Sequence, residues 1–129
     1  MRAEGCALMV PGQYRGSHRL GTHKGRPALR QVGLCNFWRD NDRDGALGRT
    51  GPVETGRIAA NIHDAPGERD GLVGSWSAGC QVFRHVEDLQ ALLTLVHKQL
   101  AEGLGDKISY TLVDAGDVPA LRALVHLTP

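Results

Sequence analysis

After Arg84 the apolar positions fall into a helical rhythm. Leu89, Leu92, Val96 and Leu100 recur at three- and four-residue spacing, Leu93 widens the stripe, and Glu87, Lys98 and Glu102 fall outside it. This predicts one substantial helix, which Gly103 and Gly105 bring to a stop. Lys107–Val113 then reads as a strand with Ile108, Tyr110 and Leu112 on one face. Asp117-Val118-Pro119 predicts the start of a short last helix, with Asp as cap and Pro in the first turn. Before Arg84 the apolar runs are short and bounded by Gly, Pro and Asp: Cys6–Val10, Ala28–Trp38, Arg57–His63 and Gly79–Phe83. Such runs are expected to be strands, and the third of them ends on a histidine. The chain is therefore expected to be mainly β with one or two helices, an α+β fold. It carries no internal repeat and no low-complexity linker, so its 129 residues are read as a single domain, 1–129.

Composition narrows the function. With 41% hydrophobic and 22% charged residues the chain is ordinary globular material, long enough to bury a core without a disulfide scaffold. A formal charge of +1 offers no broad basic field, which argues against nucleic acid as a partner. The basic residues do cluster, however. Arg15, Arg19, Lys24, Arg26 and Arg30, with His18 and His23 among them, occupy a stretch free of acidic residues. It is expected to be a solvated loop, or a surface that holds an anionic polymer such as a cell wall. No segment is apolar and long enough to span a bilayer, and the first residues make a poor signal peptide. The expectation is a monomer, cytoplasmic at synthesis, that acts in the periplasm or cell wall after release or export.

Three cysteines, Cys6, Cys35 and Cys80, form no CxxC pair and no even set, so at least one thiol is expected to be free. Cys6 and Cys35 lie in apolar runs and are read as core residues. Cys80 is different. It follows Trp76-Ser77-Ala78-Gly79, and Asn61-Ile62-His63 stands upstream of it. Thiols attack as thiolates, and a free cysteine ionises only near a pKa of ~8.5. A neighbouring imidazole can take the thiol proton and later hand it to a leaving amine. Gly79 removes a Cβ beside the nucleophile and lets substrate backbone approach, with nearby N–H groups facing the developing oxyanion. Ser77 is expected either to bond the histidine or to tie the turn.

A histidine, a loop and then Ser-x-Gly-Cys resemble the signature of the L,D-transpeptidase (YkuD-like) family. The string WSAGCQV, preceded by Asn-Ile-His, is similar to a divergent branch of it. The resemblance covers Asn61 to Phe83. It implies a β-rich catalytic domain with Cys80 as nucleophile, His63 as base, and Ser77 and Gly79 in the supporting turn. It further implies an acyl-enzyme on peptidoglycan stem peptides, formed at the bond next to the L-centre of meso-diaminopimelate. Asp64, Ala78 and Gln81-Val82 depart from the family pattern, so water and a second stem amine stand level as acyl acceptors. Wall maintenance, phage-driven lysis and a toxin role stay open alike.

The residues also suit two other classes. His63, Cys80 and His85 supply enough donors for a zinc hydrolase with water in the fourth position. A non-catalytic wall-binding module would keep the fold alone. Asp40-Asn41-Asp42-Arg43-Asp44-Gly45 matches the first half of a calcium loop, but Gly51 stands where the loop needs a glutamate. Asp40, Asp42 and Asp44 are thus read as a polar turn, with structural calcium as the alternative. His18 and His23 are expected to be solvated. No organic cofactor is expected, since no phosphate-cradling glycine loop precedes a helix.

Overall fold

A computed structural model describes residues 7–39, 49, 51–65 and 80–127, with side chains up to 124. The chain is mainly β, with two sheets and two helices, as the apolar pattern indicated. Strands β1 (Ala7–Met9), β4 (Cys35–Arg39) and β5 (Glu54–Gly56) form an antiparallel sheet in the order β1-β4-β5. The larger sheet takes β2 (Gly12–His23), β3 (Arg26–Gln31), β6 (Ile62–Asp64), β7 (Gln81–Phe83) and β8 (Lys107–Leu112), in the order β7-β6-β3-β2-β8. All its pairings are antiparallel except β6 with β7, which run parallel.

Helix α1 (Val86–Ala101) buries Leu89, Leu93 and Val96, and these pack on Leu29 and Ile62 of the large sheet. Leu100, at the end of the stripe, is 36% exposed. Gly103 and Gly105 follow the helix with positive φ of 71° and 96°, the left-handed turn that glycine adopts at no steric cost. A second cluster (Ala7, Met9, Tyr14, Cys35, Phe37 and Ala60) fills the space behind the small sheet. The second helix, α2 (Val118–Leu127), follows a single 3₁₀ turn whose cap is Asp114, three residues earlier than the sequence pointed to.

The largest departure from the sequence reading is the basic stretch. It is no loop but a β-hairpin, paired from His18↔Gln31 to His23↔Arg26 and closed by Lys24 and Gly25. Both turn residues take positive φ, 49° and 78°, the geometry of a two-residue turn whose twist matches its strands. The hairpin was illegible because its strand residues are polar and its turn reads Lys-Gly instead of Asn-Gly. A register shift lies between Tyr14 and His18, and Gly16 there has φ 58°. Past this bulge two successive side chains, Ser17 and His18, are both buried.

The apolar run Ala28–Trp38 is two strands, β3 and β4. They are separated at Gly33, where a Cβ would sit 3.1 Å from the Ser17 Cα. Arg57–His63 is likewise shorter as a strand than its composition suggests, since only its last two residues enter β6. Ala59 has φ 55°, a left-handed conformation that breaks the ladder. Side chains take over from backbone there. Gln31 Oε1 accepts from the Ile58 and Ala60 N–H groups at 3.1 and 2.9 Å. His18 Nε2 meets the Ala60 carbonyl at 2.9 Å.

Candidate active site

Register places the site. Leu29 of β3 pairs with Leu20 of β2 on one side and Ile62 of β6 on the other, on the face that α1 covers. Alternation then puts His23, Asn61 and His63 on the opposite face. In the parallel pair His63 faces Val82, and Cys80, two residues before Val82, falls on the same side. The Gln81 N–H bonds the Asn61 carbonyl at 2.9 Å, which draws the entry to β7 against β6. The result is convergence: one ring nitrogen each of His23 and His63 and the Cys80 Sγ all lie within 4.8 Å of one another. That is within reach of direct or one-water proton transfer once substrate tightens the geometry.

His63 is buried, 2% exposed, whereas the Cys80 thiol is half-buried and reachable. His63 Nδ1 lies 2.6 Å from the Asp64 carbonyl. A carbonyl only accepts, so Nδ1 carries the proton and Nε2 of the neutral ring carries the lone pair. This is the tautomer a general base requires. The Cys80 Sγ–H donates to the Ala59 carbonyl at 3.3 Å, and the left-handed turn at Ala59 belongs to the same short segment. Asp64 is buried and bonds Arg26 through both carboxylate oxygens. The Arg26 hydrogen bond holds its carboxyl below the usual aspartate range, so it stays a fixed negative charge beside His63.

His23 is the residue the sequence reading missed. Its ring stacks on His63, with centroids 4.1 Å apart and planes 5° from parallel. Asn61 fixes its protonation. The Gln31 backbone N–H donates to Asn61 Oδ1 at 3.0 Å, so the Asn61 amide nitrogen is what faces His23 Nδ1 at 3.1 Å. His23 Nδ1 therefore accepts, and the ring is neutral with its proton on Nε2. Burial, then the charges of His63, Lys24 and Arg30, push its pKa down and favour the same state. The buried Nε2 has no hydrogen-bond partner among the described residues. A polar strand residue at a hairpin end carries no pattern that announces such a role.

The three donors are of types that zinc accepts, but Asn61 works against ligation. His23 Nδ1 already takes the amide hydrogen. Binding through Nε2 would move the ring proton to Nδ1, against the Asn61 NH₂. Either route breaks the Asn61 bond. His85, named with His63 and Cys80 as a zinc ligand, stands exposed before the first turn of α1 and is not one of the three converging residues. His18 is not solvated either. It is fully buried, donates from Nε2 to Ala60, and has Ser17 Oγ 2.8 Å from Nδ1. Burial pushes its pKa down.

Cys35 is a core residue as expected, 1% exposed, its thiol pKa raised by burial. Cys6, Ser77 and Gly79 lie outside the described residues, as do Asp40, Asp42 and Asp44 of the calcium reading. Among the described residues no helix is long and apolar enough to cross a membrane. No known family, characterised protein or solved structure matches this chain.

Proposed function

We propose that the chain is a cysteine acyltransferase, with Cys80 as nucleophile and His63 as general base. Within that class we propose an L,D-transpeptidase-like enzyme that cleaves or re-links peptidoglycan stem peptides. The observation that carries the reading is the convergence of a reachable thiol and a buried imidazole whose Nδ1–H is already committed to Asp64. Nε2 of His63 takes the Cys80 proton as sulfur attacks the scissile carbonyl. The C–S bond forms, charge collects on the carbonyl oxygen, and the same imidazolium then protonates the departing amine. Water or a second stem amine resolves the acyl-enzyme, giving hydrolysis or transpeptidation. His23 contributes a neutral ring N–H beside the reacting atoms, a donor for negative charge on sulfur or on the tetrahedral oxygen. The half-exposed position of Cys80 favours a polymer substrate, which must reach the thiol from solvent.

Purified sacculi incubated with wild type and with Cys80→Ala, followed by mass analysis of the muropeptides, test the reading. Wild type is expected to release or re-link stem peptides, and the variant to do neither. Products that persist in Cys80→Ala, or vanish with a chelator, would transfer the chemistry to a metal. Wall affinity without products from either protein would make this a binding module.

A further inference from the structure

The catalytic face of the large sheet continues past His23 into an open cavity of about 570 Å³, lined by Arg19, Gly21, Arg30, Gln31 and Arg57 among others. Among the described residues no acidic side chain lines it. Cross-strand pairing of Arg19 with Arg30, and of His23 with Arg26, sets Arg19, Gly21 and His23 in a row on the side of the site. Arg19 is already tied to Asp106. Arg30 and Arg57 form no ion pair among the described residues.

Gly21 gives this cavity its form. A Cβ at Gly21 would meet Arg30 Cδ at 2.8 Å and Cγ at 3.0 Å. The Arg30 stem therefore crosses the bare glycine backbone, while the residue stays exposed to solvent. Gly21 precedes His23 by two positions, roughly 7 Å along the strand, about the span of two extended residues. The Arg30 charge is close enough to depress the pKa of His23. Arg57 reaches the same cavity from the segment that Gln31 and His18 hold, two residues before Ala59, whose carbonyl accepts from the Cys80 thiol.

We propose that this cavity is a carboxylate subsite, in which Arg30 and Arg57 hold a free carboxylate of the peptide acylating Cys80, about two residues from the scissile carbonyl. The proposal rests on the cysteine-acyltransferase reading for the identity of the peptide. Guanidinium forks suit carboxylates because two parallel N–H groups match two oxygens, fixing orientation as well as affinity. An anchored carboxylate holds an otherwise flexible stem in register with the thiol, and a neutral peptide of the same shape is left unanchored.

The test measures binding and turnover separately. Calorimetry on Cys80→Ala compares a stem tetrapeptide carrying free carboxylates with its fully amidated counterpart. The carboxylate peptide is expected to bind at least about tenfold more tightly, and Arg30→Gln to abolish that preference while leaving affinity for the amide unchanged. Gly21→Ala, which displaces the Arg30 stem without touching the core, is expected to weaken the carboxylate peptide alone. In turnover, Arg30→Gln raises KM for the carboxylate substrate more than for the amide. Equal affinity for peptide and amide, or an Arg30→Gln loss that falls on both alike, overturns the subsite and leaves the thiol chemistry standing. Carboxylate selectivity through Arg30 in a chain that cleaves no sacculus leaves the subsite standing and overturns the enzyme.

Discussion

At the scale of the residue, the site is a set of hydrogen bonds that decide where protons sit. His63 commits its Nδ1–H to the Asp64 carbonyl and keeps its lone pair on Nε2, while His23 commits its Nδ1 lone pair to Asn61 and keeps its proton on Nε2. Two stacked imidazoles in opposite roles follow from one carbonyl and one amide. Asn61→Asp probes this directly, being nearly isosteric and still able to accept from Gln31. A carboxylate beside His23 Nδ1 stabilises imidazolium, so the His23 pKa rises. The acid limb of the kcat/KM profile is then expected to move to higher pH, whereas a purely structural Asn61 would leave the limb in place. His23→Gln is expected to lower kcat by about tenfold or more with little change in fold stability. An unchanged kcat in that variant would remove His23 from the mechanism.

At the scale of the element, the site depends on a non-repetitive segment that side chains hold in place of a ladder. Gln31 binds five groups around it. Its Oε1 takes the Ile58 and Ala60 N–H groups, and its Nε2 reaches Gly33, Gly56 and Cys35. Gln31→Ala strands several of these partly buried polar groups and is expected to cost about 3 kcal/mol in denaturant titration. It should also lower kcat, because Ala59, Asn61 and His63 lie on the released segment. A loss of stability with full activity would show that Gln31 does not position the site. Ala59→Gly offers the opposite case, since φ 55° costs a residue with a Cβ roughly 1 kcal/mol that glycine escapes.

The sequence made the regular parts of these elements legible. The α1 stripe and the β8 alternation show because burial on one side imposes a period. The β2–β3 hairpin and the irregular run before β6 do not show, because buried polar side chains such as His18 and Gln31 satisfy the backbone, and composition reads them as solvated. Of the proposed pair, Cys80 stands out through its glycine-flanked motif, and His63 through its strand end. His23 needed the register of three strands to appear.

At the scale of the whole molecule, one sheet separates stability from chemistry. Its α1 face holds Leu29, Ile62, Leu89, Leu93 and Val96, and the opposite face holds His23, His63, Cys80, Arg19 and Arg30. Leu93→Ala should therefore lower stability by about 3 kcal/mol while sparing kcat in the folded fraction. Acid acts on buried polar groups instead. Burial holds the His18 pKa below its ordinary 6.5, so the folded chain binds fewer protons than the unfolded chain once pH drops past that value. Stability is expected to be full above about pH 6.5 and to fall as pH approaches the lower folded pKa. A second loss follows below about pH 4, where the unfolded chain takes up a proton that the Arg26-bound Asp64 resists. A stability curve flat between pH 7 and pH 5 would contradict the neutral, buried assignment of His18.

The pairing of sulfur with imidazole is most directly tested by site-resolved alkylation. Wild type and His63→Ala are exposed to iodoacetamide at pH 7, and the rate at Cys80 is read by peptide mass spectrometry with Cys35 as internal standard. Cys80 is expected to be modified at least about tenfold faster in wild type than in His63→Ala, while Cys35 stays slow in both. Equal Cys80 rates in the two proteins would contradict the pairing.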